Sequence, residues 1–218
     1  MAAVLSPKSP TTRLSASDRR RQIVDIAVRL FSKRGFSGTT TKEIADHAGV
    51  SEAIIFRHFP TKQALYSAII DHKTQQIRNQ LQSNLDQAER RKDDQAFFSS
   101  LAFDLLELHL NDPTIMRLLM YSALEGHELS DMFFQSAARK VRDHVRRYIK
   151  QRIADGAFRE VDANVCARAF VGMFLFHAEV RVLYTDTISD DVKLSNRAVT
   201  DGLVDLFLRG IRKGEATA

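Results

Sequence analysis

Residues 40–65 read Thr40-Thr-Lys-Glu-Ile-Ala45-Asp-His-Ala-Gly49-Val-Ser51-Glu-Ala-Ile-Ile-Phe56-Arg-His-Phe59-Pro-Thr-Lys62-Gln-Ala-Leu65. Thr40 with Glu43 three residues on is a capping box, in which each side chain satisfies a backbone donor that the first helical turn leaves unpaired. Ile44, Ala45 and Ala48 form one helical face, Gly49 stops the helix, and Ser51 stands as the next N-cap. Ile55 and Phe59 then recur at i, i+4. Two short helices separated by about three residues must cross steeply, which presents the second of them at the surface. Pro60 and Thr61 end that helix and open a longer one at Lys62.

Outward from this segment, the chain reads as helix throughout. Upstream, Ser17 is the expected N-cap of a helix whose Ile23, Ala27, Leu30 and Phe31 share a face, and Gly35 ends it. Residues 1–16, with three Ser, two Thr and two Pro, read as a disordered arm. Downstream, a helix is expected from Lys62 to about Gln87, followed by a polar stretch from Asp86 to Asp94 and a face carrying Phe97, Leu101 and Leu105. Asp112-Pro113 restarts a helix. Ser130-Asp131 caps a segment running to about Ala154, Asp162 one to about Tyr184, and Ser195 a last one to about Arg212. The expectation is an all-α chain of about nine helices: an arm (1–16), a three-helix helix-turn-helix unit (17–61) and a larger helical domain (62–218).

Charge supports that division. The 218 residues carry a net +5, but residues 1–66 alone hold 11 Lys/Arg against 5 Asp/Glu, which leaves the remainder at −1. A basic module of this kind meets phosphate or an anionic membrane surface. If Val50, Ile55 and Phe59 pack on Ile23, Ala27, Phe31 and Ile44, then Glu52, Ala53, Ile54, Arg57 and His58 are left to face a major groove. Arg57 suits a guanine, Glu52 a cytosine, and Ala53 or Ile54 a thymine methyl. Thr40, Thr41 and Ser51 lie at helix starts where amides and hydroxyls meet backbone phosphate, and Lys62 adds a charge.

The segment resembles the DNA-binding signature of the tetracycline-repressor (TetR/AcrR) family of bacterial transcription regulators, on the Thr-x-x-x-Ile-Ala core, the Ala-Gly-Val-Ser turn, the terminal Phe59 and the following Lys62. The resemblance is dense over residues 18–66; beyond them only length and helical rhythm match. It implies a homodimer binding a palindromic operator in double-stranded DNA, with Lys62 and His58 on the backbone. It also implies that the last two helices build the dimer interface and that a small-molecule effector bound in the larger domain shifts the helix starting near Lys62. Repression is carried from the family in the same way.

The expected effector is apolar or aromatic, because phenylalanines and methionines concentrate in the larger domain. Phe103, Met116, Met120, Phe134, Phe170, Met173, Phe174 and His177 are its candidate lining, with His109, Arg117 and Glu179 as further orienting groups. The segments from Asp162 and Ser195 are apolar nearly all round, so one side of each must meet something beyond its own core. Phe176, Val180, Leu203, Leu206 and Phe207 are the candidate dimer contacts.

Other chemistries find little support. His109, His127, His144 and His177 lack metal-ligand spacing and Cys166 stands alone, so neither a metal nor a cofactor is expected. No nucleophile elbow, phosphate-binding glycine loop or dinucleotide fingerprint is present, which argues against an enzyme. No apolar run approaches the ~20 residues that span a bilayer. A cytoplasmic protein is the expectation, with constitutive architectural DNA binding as an alternative to effector-controlled regulation and a helical enzyme as a less favoured one.

Overall fold

The computed structural model describes residues 14–81, 85–126, 128–184 and 194–214. Most of the expected arm (residues 1–13) and His127 lie outside the described residues. The fold is helical: α1 (Ala16–Arg34), α2 (Thr41–Ala48), α3 (Glu52–His58), α4 (Lys62–Leu81), α5 (Leu85–Arg91), α6 (Asp94–Asn111), α7 (Thr114–Leu124), α8 (Glu128–Phe133), α9 (Arg139–Ala154), α10 (Ala163–Leu183) and α11 (Asn196–Ile211). A π-helical turn, Phe134–Ala138, joins α8 to α9. The only β pairing among the described residues is a single antiparallel bridge between Phe158 and Arg212.

The caps explain where the N-terminal helices start and stop. Ser15, not Ser17, is the N-cap of α1: its hydroxyl accepts from the Asp18 amide, so helix begins inside the span assigned to the arm. The Thr40–Glu43 capping box is formed, and Gly49 closes α2 in the left-handed region at φ 63°, where a side chain is unfavourable. Ser51 occupies the N-cap position of α3 without a side-chain cap bond. Ile23, Phe31, Ile44, Ile55 and Phe59 are buried in the small core that orients α3.

In the larger domain, two boundaries differ from expectation. Leu85 and Ala88 are buried, so the polar-looking stretch after α4 folds as α5, held by two apolar anchors too few to give a periodic signal. Helix also begins at Glu128, ahead of Ser130, and widens through the π turn before continuing as α9. An aromatic cluster lies at the centre. Phe97 stacks on Tyr148 with centroids 3.8 Å apart, and Phe98 meets Phe170 at 4.9 Å and Phe207 at 5.1 Å. The Tyr148 hydroxyl and the Arg152 guanidinium both donate to the Asp94 carboxylate, at 2.8 and 2.7 Å. Burial and this carboxylate push the Tyr148 phenol well above its ordinary value. Shared with two donors, Asp94 binds α9 to the start of α6.

Candidate nucleic-acid interface and effector cavity

α3 is presented much as its spacing requires. Glu52, Ala53 and Arg57 are exposed and Ile54 and His58 half-buried. The Thr41 hydroxyl donates to the Glu52 carboxylate and so ties the start of α2 to the start of α3. Among the described residues no acidic side chain pairs with Arg57. Arg20 from α1 lies over the Phe59 ring, 4.5 Å from its centroid, which brings positive charge to the C-terminal end of α3. Burial, then Arg57, Arg20 and Arg19, hold the His58 imidazole below its ordinary value.

Two features of this surface were not anticipated. Phe56, on the exposed stripe of α3, is 44% exposed, although an aromatic residue beside core-facing Ile55 reads as packing. Lys62 turns inward: its ammonium donates to the Phe36 carbonyl and sits over the Phe36 ring, 4.0 Å from the centroid. Burial lowers its pKa, opposed by Glu125 and Glu43.

The larger domain holds a half-open apolar cavity of about 250 Å³. α6 contributes Leu105, Leu108 and His109, and α7 contributes Met116, Leu119, Met120 and Ala123. Phe133, Phe134 and Ala138 close it around the π turn, a feature frequent at functional sites. Val171, Leu175 and Glu179 come from α10 at i, i+4, i+8. The His109 Nδ1 lies 2.7 Å from the Leu105 carbonyl, which can only accept, so Nδ1 carries the proton. Burial lowers the His109 pKa and favours neutral imidazole, whose Nε2 is then an acceptor. With Glu179, that gives an apolar cavity with two acceptors.

Of the residues expected to line a site, Met116, Met120 and Phe134 do, together with His109 and Glu179. Phe170 and Phe174 do not. Each sits one position, or about 100° around the helix, from Val171 and Leu175, and both are fully buried in the aromatic cluster. Met173 packs on the core, and His177 Nε2 is buried without a partner among the described residues. Phe103 lies in a separate groove with Asp104 and Arg197.

The expected dimer residues divide similarly. Phe176 and Leu206 are 67% and 63% exposed, Val180 and Leu203 half-buried. Phe207 is only 8% exposed, because its ring meets those of Phe98 and Phe170 inside the same chain.

α7 joins the two regions. While one side of it lines the cavity, Arg117, Tyr121 and Glu125, at i, i+4, i+8, bind the C-terminal end of α1. The Arg117 guanidinium donates to the Ser32 carbonyl at 3.3 Å, the Tyr121 hydroxyl donates to the Lys33 carbonyl at 3.1 Å, and the Glu125 carboxylate accepts from the Phe36 amide at 3.0 Å. Tyr66 on α4 donates to the Leu118 carbonyl from a buried position that raises its phenol to about 12.

A capped, two-helix reading head with an exposed basic end, carried on a helical domain with a half-open apolar cavity, defines a helix-turn-helix DNA-binding transcription regulator. Residues 23–69 match the family of bacterial regulatory proteins of tetR type, and residues 112–210 match the AefR-like transcriptional repressor C-terminal domain. The chain belongs to the TetR family. It is 38% identical over 79 residues to the regulator LuxR of Vibrio harveyi, a match covering 36% of this chain and 38% of LuxR, well under two thirds of that relative's length. It is 28% identical over 159 residues to the nucleoid occlusion factor SlmA of Vibrio cholerae serotype O1, covering 71% and 79% of the two chains. Its fold matches that of AibR in complex with isovaleryl coenzyme A and operator DNA, with a TM-score of 0.66, 22% identity and 86% and 97% of the chains covered. Among the described residues no helix is long and apolar enough to cross a membrane.

Proposed function

We propose that the chain is a ligand-responsive repressor that binds a palindromic operator as a homodimer and leaves it when a small apolar or aromatic effector fills the cavity behind α7. The observation that carries this reading is the double role of α7, whose Met116, Leu119 and Met120 line the cavity while Arg117, Tyr121 and Glu125 hold the end of α1. An effector that displaces α7 displaces α1, and with it the core on which α3 rests. The lever is α7, with α4 following through Tyr66, rather than α4 alone. AibR, bound to both a small molecule and operator DNA, supports the same pairing of partners.

In this reading Arg57, Glu52, Ala53, Ile54 and Phe56 meet base edges, while Thr40, Thr41, Ser51 and His58 meet the backbone. The homodimer is supported by the exposed stripe Val165, Phe176 and Leu183 on α10 and by the exposed Leu206 on α11, apolar surface that association would remove from water. The match to a nucleoid occlusion factor, a name that describes a role other than effector-controlled gene regulation, leaves DNA binding without an effector as a second reading. Selecting bound sequences from a random DNA pool and then screening small molecules for release of the winner decides between the two. A symmetric selected site released by an apolar compound supports the first reading; no release by any compound supports the second. In the same selection, Arg57→Ala should lose the preference at one position of each half-site, by about 1–3 kcal/mol.

A further inference from the structure

Phe134 lines two spaces at once. On one side is the apolar cavity; on the other is a surface groove of about 600 Å³ between the start of α9 and the start of α10. The groove is basic: Arg139, Arg142, Arg146 and Arg168 line it against the single carboxylate of Asp143. Asp143 is shared by Arg139 at 3.6 Å and Arg146 at 3.3 Å; among the described residues Arg142 has no ion-pair partner, and Arg168 makes no direct ion pair though the Asp162 carboxylate at the start of α10 feels its charge. Three arginines, 139, 142 and 146, recur at i, i+3, i+7 on one face of α9. Like charges gathered in a concave surface repel one another and favour a polyanion that neutralises them, with guanidinium forks suited to phosphate oxygens. Phe134 itself is 51% exposed, an aromatic ring held at the boundary between grease and charge.

We propose that the effector is an amphiphile: an apolar acyl or aryl group in the cavity, carried past Phe134 by a linker to a phosphate-bearing head held in the arginine groove. This rests on the effector reading above and names the chemical class of that effector. The cavity's size limits the apolar part. About 250 Å³ corresponds to about eight groups the size of a water molecule, which suits a medium-length chain or a substituted ring. Two carriers share the required head chemistry, a nucleotide-linked acyl thioester and a lysophospholipid.

Calorimetric titration of the full chain with octanoate, octanoyl-coenzyme A and octanoyl lysophosphatidate tests this, with Arg142→Ala/Arg168→Ala and Met120→Trp variants. At least one phosphate-bearing probe should bind about tenfold or more tightly than octanoate, and whichever does identifies the carrier. The double arginine variant should remove that advantage while leaving octanoate binding unchanged; Met120→Trp, which fills the cavity, should weaken all three. Equal affinity for octanoate and both phosphate-bearing probes, or an advantage that survives the arginine variant, overturns the headgroup site and leaves the apolar-effector reading standing. Failure of all three probes to bind, when the small-molecule screen has found a releasing compound, overturns the amphiphile alone; failure in both experiments overturns the effector reading as well.

Discussion

The Glu125 carboxylate at the end of α7 accepts a hydrogen bond from the Phe36 amide at 3.0 Å, 89 positions away in sequence. Gly35 makes this contact possible. It takes φ 73°, and a methyl group there would collide with the Glu125 carboxylate. Phe36 in turn gives its carbonyl to Lys62, so a single residue after α1 receives both α7 and α4.

Glu125→Ala is therefore expected to loosen the link between the domains, which Arg117 and Tyr121 also make. Effector should still bind, but the ratio of operator affinities without and with effector should fall toward one from a wild-type value on the order of 5–150. Stability should fall by only about 1 kcal/mol, since the contact lies at the surface. Fluorescence anisotropy with labelled operator measures the ratio, and an unchanged value would show that the domains couple elsewhere.

Lys62 offers a separation of structural from DNA-contacting roles. With its ammonium committed to Phe36, Lys62→Ala should destabilise the fold by about 1–2 kcal/mol while leaving the salt dependence of DNA binding unchanged. A slope lowered by about one ion would instead place the lysine on phosphate.

His58 should give opposite pH responses in the free and DNA-bound states. Its folded pKa lies below the ordinary 6.5, first because of burial and then because of Arg57, Arg20 and Arg19. The stability this contributes is full above the unfolded pKa and is lost as pH falls through the folded value. A nearby phosphate reverses the preference, so operator binding should tighten as pH falls from about 7.5 to about 5.5. His58→Gln should flatten that dependence; a wild-type affinity that weakens with acid would remove His58 from the backbone contacts.

The proposed dimer rests on the face bearing Phe176 and Leu206. Because two-fold symmetry uses each residue twice, Leu206→Asp should weaken association by on the order of 3–6 kcal/mol and give monomers in sedimentation velocity at micromolar concentration. Phe207→Ala, by contrast, should lower monomer stability, as Phe207 lies in the aromatic core. A wild-type chain already monomeric at that concentration would refute the dimer.

The DNA-binding unit was legible because its signals are local. A capping box, a left-handed Gly49 and the i, i+4 pair Ile55 and Phe59 act within a few residues of one another, so their consequences are written in adjacent letters. The exposure of Phe56 is not legible because aromatic residues are expected inside, and the inward turn of Lys62 is not because nothing in the sequence around it announces the Phe36 carbonyl that receives it.

In the larger domain, helix positions followed from Asp162, Ser195 and the apolar runs, but the assignment of each face did not. A helix that is apolar around most of its circumference carries no amphipathic direction. Sequence alone determined that the chain is all-α and that its basic charge sits on a helix-turn-helix; its apolar runs suggested burial on several sides for α10 and α11, whereas each buries one stripe within the chain. Only tertiary packing decided that Phe170, Phe174 and Phe207 build the core, that Val171 and Leu175 line the cavity, and that Phe176 and Leu206 remain outside. The physical reason is angular. Successive helical residues point about 100° apart, and which of those directions meets a neighbour is fixed by where the other helices lie.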